Sequence, residues 1–425
     1  MKRNKVVTEA FSINPDLLYP ASPEIEYGEK CWLVDVNGKK YFDCSGGSGA
    51  VNLYHQHPTF VKAIKDQIDK LIHTGWNVQT SVRKELIQKL GNFSPFDECA
   101  ILLTLPGTEA IEAALKVARA YTGRKTVMAF ERAFHGKSSG SLTVTARESF
   151  KKYTVLPKDA VIRLPYPIIN SSDNEDSYEE CLKRIREIVK KACDEGNAPA
   201  AFLLEPIQVS EGVLPAGREF IIEIKKLAKE INSLVIFDEI YTGFCRTGHR
   251  FMASQEGLLP DILVVGKGLG NGIPVSAVMG RSEIMNALPS GNHSSTFAAN
   301  PVACAAGCAV LDIMEENKVD EYAALIGKKL KAELDNLSEK FPFICNIRGE
   351  GLLIGFDCKE KNSEESSELV KRFAKLALDN GVILRYGGYN GCTIKITPPL
   401  LMEESDVEFL INVLDKVSNE IEADR

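Results

Sequence analysis

Long hydrophobic runs and paired cysteines are both missing from this 425-residue chain. No apolar stretch reaches the roughly 18 residues that a membrane-spanning helix needs, and the basic start of the chain has no apolar core of a secretory signal. The 11 cysteines are scattered singly, without a CxxC pair. This usage is typical of a reduced protein and provides neither a disulfide framework nor a zinc site. We therefore expect a cytoplasmic protein without a secretory signal, a membrane segment or a bound metal.

Positive charge is also in deficit. The chain carries 51 Lys and Arg against 58 Asp and Glu, which gives a net charge of −7 and a pI near 5.6. That balance is unfavourable for nucleic acids and anionic membranes as main partners. Hydrophobic residues make up 44% of the chain and charged residues 26%, which is enough apolar material for a substantial core. The length indicates two domains or one large enzyme fold.

Two motifs that could bind a nucleotide or a metal are incomplete. The stretch GKGLGNG has glycines at 266, 268, 270 and 272, which fit no GxGxxG register, and Lys267 is not followed by the Ser or Thr of a P-loop. A nucleotide-dependent dehydrogenase is therefore disfavoured. His55 and His57 lack a nearby carboxylate or cysteine in the sequence to complete a metal site, so we expect them to cap a loop.

Strand and helix patterns alternate along most of the chain. WLVDVNGKKYFD (32–43) predicts a β-hairpin with a turn at Asn37–Gly38. Further on, the alternation predicts a parallel sheet covered by helices on both faces, and it changes to an α+β pattern after about residue 312. We expect three parts: an N-terminal segment (1–50) that contributes to a small domain, a large cofactor-binding domain (51–312) and a small C-terminal α+β domain (313–425). The polar stretch 170–180 is predicted to be a surface loop, and SYEECLKRIREIVKKAC (177–193) a helix, so that the two predictions overlap at 177–180.

Charged and polar residues stand where predicted strands end. Glu205, Asp238 and Lys267 each stand at the carboxyl end of a predicted strand. Gly107–Thr108 begins a predicted helix that follows a further strand. Because ligands bind at the carboxyl ends of parallel strands, we expect these groups to meet in one crevice. A helix N-terminus suits a phosphate, a dry lysine amine can attack an aldehyde, and a carboxylate can pair with a protonated ring nitrogen. These are the three recognition groups of pyridoxal 5′-phosphate (PLP).

Six segments carry a resemblance to a known enzyme family. They are GTEAIEAALKVAR, AFHGKSSGSL, LLEPIQ, FDEIYTGFCRTG, PDILVVGKGLGNGIPVSAV and SSTFAANPVA. From about residue 23 to the C-terminus, the sequence resembles the class III (ω-type) aminotransferases, which are PLP enzymes of fold type I. The resemblance implies an α/β fold with a mostly parallel seven-stranded sheet between helices, and a smaller α+β domain beside it.

The resemblance also implies a role for each matching position. Lys267 holds the cofactor as a Schiff base and, once released, moves a proton on the substrate, while Asp238 pairs with the ring nitrogen. Thr296 binds the phosphate of the neighbouring subunit's cofactor, so that the active unit is a homodimer with its sites at the subunit interface. The other implied contacts are Phe134 and Ile240 on the two ring faces, His135 behind them, Gln208 near the phenolic oxygen, Glu205 in support of the site, and Gly107 and Thr108 at the phosphate.

The substrate side departs from the family pattern. Lys137 and Lys395 stand where family members often carry arginines, and Ser210 takes the place of a glutamate that can cover one of them. Because lysine and arginine do not hold a carboxylate in the same way, we expect an altered carboxylate clamp. Trp76 is a further candidate for the substrate pocket.

The resemblance therefore implies a ping-pong aminotransferase that moves an amino group from an amine, diamine or amino acid to a 2-oxo acid, either pyruvate or 2-oxoglutarate. Because the clamp is altered, an amino-acid racemase or epimerase, or a lyase, on the same fold is the alternative. A catalytically silent binding protein is disfavoured, since Lys267 and Asp238 are both present.

Overall fold

The structure is a computed structural model that describes residues 23–167 and 178–424, apart from the side chain of Lys158. The first 22 residues and the part of the predicted loop at 170–177 lie outside the described residues. The rest of that predicted loop is helical from Tyr178 onward, since Glu179 and Glu180 suit the first turn of a helix. Among the helices that the structure describes, none combines the length and the apolar character needed to cross a bilayer.

The described residues form helices and strands in regular succession. The helices are α1 (Gly46–Gly49, a glycine-rich turn), α2 (Pro58–Lys70), α3 (Ser81–Phe93), α4 (Gly107–Thr122), α5 (Ser139–Val144), α6 (Tyr178–Asp194), α7 (Arg218–Glu230), α8 (Ser282–Met285), α9 (Pro301–Glu316), α10 (Val319–Lys340), α11 (Ser363–Asp379) and α12 (Glu404–Ala423). The strands are β1 (Ile25–Glu29), β2 (Trp32–Asp35), β3 (Lys40–Asp43), β4 (Ala100–Thr104), β5 (Val127–Phe130), β6 (Val161–Leu164), β7 (Ala201–Leu204), β8 (Ile207–Gln208), β9 (Leu214–Pro215), β10 (Leu234–Asp238), β11 (Ile262–Val265), β12 (Ser276–Gly280), β13 (Ile344–Glu350), β14 (Leu353–Cys358), β15 (Val382–Ile383), β16 (Arg385–Gly387) and β17 (Thr393–Ile396).

The largest sheet has seven strands in the order β4-β12-β11-β10-β7-β5-β6. Its strands pair in parallel, except that β12 runs antiparallel to both β11 and β4. Strands β5, β7, β10, β11 and β12 are buried along their whole length. Continuous apolar runs of this kind are typical of a sheet covered by helices on both faces. The predicted α/β fold with a mostly parallel seven-stranded sheet is therefore confirmed.

A smaller sheet joins N-terminal and C-terminal strands of the described chain, and another is formed by C-terminal strands alone. The predicted hairpin forms β2 and β3, and β3 pairs in parallel with β15 from the C-terminal part. Strands β13, β14, β17 and β16 form a separate four-stranded sheet. The N-terminal hairpin thus packs with the C-terminal segment, and its membership of a small domain stays a prediction. The domain boundaries at residues 50 and 312 stay a prediction.

Helix α4 shows how local sequence positions the site. It begins at Gly107, directly after β4, with Pro106 as its N-cap residue. It ends before Gly123, whose φ of 69° is the left-handed conformation that favours glycine at a helix C-terminus. Its alanine-rich face is buried against the sheet. The N-terminus of α4 is therefore fixed at the carboxyl edge of the central strands.

Candidate active site

A cavity opens where β4, β7, β10 and β11 end. Its empty space, which includes open solvent at the mouth, is about 680 Å³. The residues that line it are Gly107, Thr108, Phe134, His135, Gly136, Glu205, Ile207, Ser210, Asp238, Ile240, Tyr241 and Lys267. The crevice predicted from the strand ends is thus formed, and nine of the predicted site residues line it.

Lys267 projects its amine into this cavity from the turn after β11. Its backbone has a φ of 39°, an uncommon left-handed conformation for a residue with a side chain. Burial lowers the pKa of Lys267 to about 8, although the Asp238 and Glu205 carboxyl groups act in the opposite direction. A buried amine with a lowered pKa can reach its neutral, nucleophilic form near physiological pH.

Asp238 is fixed at the end of β10 by two hydrogen-bond partners. Its Oδ2 lies 2.8 Å from Nδ1 of His135, and its Oδ1 accepts a hydrogen bond from the Ile240 backbone N–H at 3.1 Å. The His135 backbone N–H donates in turn to Thr145 Oγ1 at 2.9 Å. The other ring nitrogen of His135, Nε2, is buried without a partner among the described residues. This arrangement holds a buried carboxylate in one orientation toward the cavity.

A second carboxyl group, that of Glu205, lies close to Asp238. Glu205 Oε1 accepts a hydrogen bond from the Phe134 backbone N–H at 2.9 Å, which positions the Phe134 segment over the cavity. Burial, together with the nearby Asp238, raises the pKa of Glu205 well above its ordinary range. This raised pKa favours the neutral form of Glu205.

The N-terminus of α4 forms one wall of the cavity. No side chain caps this helix, because its N-cap residue is Pro106. A Cβ atom at Gly107 would lie 2.8 Å from Cδ1 of Ile240, so that only glycine fits without a shift at this place. Free N–H groups and the positive end of the helix dipole make such a terminus suitable for an anion.

The remaining predicted residues lie outside this lining. Lys395 is only 8% exposed and donates from Nζ to the Ser210 carbonyl oxygen at 3.0 Å, so it lies directly beside the cavity. Gln208 is fully buried and donates from Nε2 to the Glu131 carbonyl at 2.9 Å. Lys137 is exposed, with Nζ 4.0 Å from the centre of the Phe150 ring.

Trp76 and Thr296 lie on another part of the surface. Trp76 is 55% exposed and lines a second cavity together with Ser294 and Ser295. Thr296 is exposed next to them. Neither residue lines the cavity that contains Lys267 of the same chain.

Sequence reasoning missed Tyr241. Its ring lines the cavity, and the ring centre lies 3.8 Å from Lys267 Nζ. The only signal in the sequence was its place three residues after Asp238, which does not show which way the side chain points.

The chain is similar to known proteins over most of its length. Residues 20–417 match the family described as "Aminotransferase class-III". The chain is 33% identical over 390 residues to acetylornithine aminotransferase of Archaeoglobus fulgidus, which covers 92% of this chain and 94% of the relative. It is 32% identical over 397 residues to a probable 4-aminobutyrate aminotransferase of Bacillus subtilis, with 91% of each chain covered.

Two further similarities bear on the reaction and the cofactor. An alanine/serine racemase of Pyrococcus horikoshii is 30% identical over 425 residues, covering 98% of this chain and 88% of the relative. The solved ornithine aminotransferase of Toxoplasma gondii has a TM-score of 0.83 and 26% identity, with 96% of this chain and 93% of that chain covered. Its description reports partial occupancy of PLP at its active site. The chain therefore belongs to the class III aminotransferase family and is an aminotransferase.

Proposed function

We propose that the cavity around Lys267 binds PLP and that the enzyme uses it to move an amino group from an amino donor to a 2-oxo acid. The observation that carries the proposal is the pairing of a buried amine, Lys267, with a fixed buried carboxylate, Asp238, in one cavity. The residues present fit the cofactor. Gly107 and Thr108 provide an uncapped helix N-terminus for a phosphate, and the apolar side chain of Ile240 lines the same cavity for the ring.

The chemistry divides between the cofactor and the chain. When bound, PLP supplies a carbonyl that takes up the amino group and a ring that withdraws electrons from the substrate carbon. Lys267 would hold the cofactor through its amine and, when that amine is free, accept the proton from the carbon that bears the amino group. Asp238 would face the ring nitrogen and keep it protonated, with His135 fixing the orientation of the carboxylate. Phe134 and Ile240 would enclose the ring between them.

The substrate side of the proposal rests on Lys395. Its ammonium is buried beside Ser210, and burial lowers its pKa to about 8, assisted by the nearby Arg385. A cation that is buried and bonded to a single carbonyl oxygen has donor capacity left for a substrate carboxylate. Glu211 does not neutralise Lys395 directly, because its carboxylate pairs with Arg147 at 2.7 Å. We propose that Lys395 binds the carboxylate of the acidic substrates.

The relatives suggest a class of amino donor. Acetylornithine and 4-aminobutyrate, the substrates that their names specify, carry the reacting amine away from a carboxylate. We propose donors of this kind, or diamines, with pyruvate or 2-oxoglutarate as acceptor. Racemisation is the weaker alternative, supported by the similarity to the racemase.

We also propose a homodimer, supported by an exposed apolar patch next to Thr296. The centres of the His73 and Phe297 rings lie 5.4 Å apart. The Arg83 guanidinium donates hydrogen bonds to the carbonyl oxygens of Trp76, Val78 and Ala299 and so links these segments. The large apolar side chains exposed around these contacts, called the apolar patch below, are Trp76, Val78, Ile87 and Phe297. Monomeric proteins rarely leave so many together on one face. A second copy seated on this patch would bring Thr296 to the partner's site. A cytoplasmic location, supported by a sequence whose cysteines are scattered without a CxxC pair, completes the proposal.

A half-reaction tests the proposed function. Purified enzyme loaded with PLP is mixed with one amino donor at a time, from ω-amino acids, diamines and α-amino acids, without any oxo acid. The proposal predicts that at least one donor converts to its carbonyl product in a single turnover, with loss of the visible absorbance of the bound cofactor. A racemase would instead invert its amino acid repeatedly without forming a carbonyl product, and that result would overturn the proposal.

A further inference from the structure

Tyr241 is in contact with the amine on which the proposed chemistry depends. Lys267 Nζ lies 3.8 Å from the centre of the Tyr241 ring, a distance at which an ammonium is attracted to the negative face of an aromatic ring. This contact belongs to the free side chain of Lys267, not to the form that would be bonded to a cofactor. Neither Asp238 nor Glu205 forms a direct ion pair with Lys267 among the described residues. The ring is therefore the immediate partner of the lysine side-chain end.

The Tyr241 ring is itself held in place from several sides. A Cβ atom at Gly49 would lie 2.3 Å from its Cε1, so the backbone of the glycine-rich turn α1 presses directly on the ring. On another side the ring packs against a buried apolar cluster that includes Met252 and Leu353. The Tyr241 hydroxyl lies 3.4 Å from Thr397 Oγ1, at the long limit of a hydrogen bond. Packing of the ring therefore holds this side chain in place more than the hydroxyl does.

Several charged groups act on Lys267 from different elements. Burial is the largest influence on its pKa and lowers it; the Asp238 and Glu205 carboxyl groups raise it, and the Arg385 guanidinium lowers it further. The titratable and charged groups that act on or contact the amine are Asp238 at the end of β10, Glu205 after β7, Arg385 of β16, Lys395 of β17 and Tyr241 itself. Only Tyr241 combines direct contact with a position fixed on three sides.

We propose that Tyr241 is a positioning residue that keeps the free Lys267 amine over its ring and so confines this long side chain to one place in the cavity. A free lysine side chain has many rotamers, and confining it removes an entropic cost from every step that uses the amine. The inference rests on the proposed role of Lys267, but it concerns the chain alone and is measurable without cofactor.

The test is competitive labelling of the cofactor-free, full-length chain with acetic anhydride at a series of pH values, with acetylation of Lys267 read by mass spectrometry. Because the ring stabilises the charged amine, replacing it by an aliphatic side chain should lower the labelling midpoint. Tyr241→Leu is expected to lower the midpoint by about one pH unit relative to the wild type. Tyr241→Phe keeps the ring and should stay within about 0.3 unit of the wild type. Tyr241→Met replaces Tyr241→Leu if the latter does not fold.

Two controls make the result specific. Lys39, which lies 4.9 Å from the centre of the Tyr41 ring, is labelled in the same samples and should not respond to any change at Tyr241. Tyr389→Leu removes another ring that lies under a cation, that of Arg132, and should leave Lys267 unchanged.

The inference is overturned if Tyr241→Leu leaves the Lys267 midpoint unchanged, or if Tyr241→Phe shifts it as far as the leucine variant does. Failure of the proposed function looks different. In that case PLP would not react with Lys267 in the wild type, whatever the labelling midpoints of the variants.

Discussion

At the scale of single residues, Lys267 adopts a strained backbone conformation. A φ of 39° is costly for a residue with a side chain and persists only where its surroundings impose it, which is common at functional sites. Gly266 and Gly268 on either side leave room for this turn, since a Cβ at Gly268 would lie 2.5 Å from Asn52 Nδ2. The glycines around Lys267 thus allow the turn that directs its amine into the cavity, and they are not needed to bind a nucleotide.

At Asp238 the charge can be removed without removing the contacts. Asp238→Asn keeps an oxygen that can accept from Ile240 and a group that can bond His135. Because an amide cannot hold a proton on the ring nitrogen, we expect amino transfer to slow by about 100-fold or more while PLP still binds. Rapid-mixing measurement of the half-reaction, with cofactor content determined separately, checks this. An unchanged rate would remove Asp238 from its proposed role.

Replacement of Lys395 should weaken the binding of carboxylate-bearing substrates, whereas replacement of Lys137 should not. Lys395→Ala removes a buried cation beside the cavity and should raise KM for carboxylate-bearing substrates about 10-fold to 100-fold, while simple amines react as before. Lys137→Ala is the matched control, because Lys137 is exposed and lies over Phe150, outside the lining. Steady-state kinetics with one acid and one plain amine distinguish the two. Equal effects of Lys395→Ala on both substrates would exclude carboxylate binding by Lys395.

At the scale of elements, Glu239 ties the end of β10 to a later turn. Its carboxylate accepts hydrogen bonds from the backbone N–H groups of Met252 and Ala253, each at 2.8 Å, and from Thr242 Oγ1 at 3.0 Å. Burial nevertheless raises its pKa from 4.5 to about 7. The folded chain therefore binds more protons than the unfolded chain between these values, and the associated stability is lost as pH rises through about 7.

The raised pKa of Glu239 predicts that Glu239→Gln changes thermal stability by an amount that depends on pH. The wild type should lose thermal stability relative to the variant as pH rises from about 5 to about 7.5, by a few degrees in Tm, because only the wild type must ionise a buried carboxyl. Thermal unfolding of the cofactor-free chain across this pH range is the measurement. Glu230→Gln, at an exposed position in α7, is the control. Parallel Tm curves for wild type and Glu239→Gln would contradict the raised pKa.

The sequence predicted elements well where one local rule applied. β4 and α4 were predictable because an apolar run ended at Pro106–Gly107, and the hairpin was predictable from Asn37–Gly38. The start of α6 at Tyr178 was predicted ambiguously, because residues 177–180 were assigned both to a loop and to a helix, and the polar composition of a first helical turn is shared by loops. The strand order, with β12 antiparallel between β4 and β11, depends on long-range pairing that no local pattern encodes.

The same distinction holds for the site. Glu205, Asp238 and Lys267 could be placed together because strand ends meet at one edge of a parallel sheet. The contact of Tyr241 with Gly49, and the pairing of Glu211 with Arg147, join segments far apart in the chain through side-chain packing. Such contacts follow from the folded geometry and have no periodicity or motif to reveal them.

At the scale of the whole molecule, the apolar patch predicts assembly. Phe297 is 60% exposed in that patch, so Phe297→Asp would place a charge in the proposed interface and should shift the enzyme from dimer toward monomer. Because Thr296 is the adjacent residue, the monomer should also lose PLP more readily. Light scattering over a concentration series, combined with cofactor content, measures both effects.

Leu325→Asp is the matched control for the dimer prediction. Leu325 is 51% exposed on α10 and lies outside the apolar patch, so the same kind of change there should leave assembly intact. A wild-type chain that remains monomeric at all concentrations, or a Phe297→Asp variant that still forms a dimer with full cofactor content, would contradict the proposed interface.

The whole account depends on a covalent bond between PLP and Lys267, and one measurement addresses it directly. The purified enzyme is incubated with PLP, reduced with borohydride, digested and analysed by mass spectrometry. The account predicts a single stoichiometric phosphopyridoxyl group on the peptide that contains Lys267, and none on that peptide from Lys267→Ala. A label spread over surface lysines, or absent from Lys267, would contradict it.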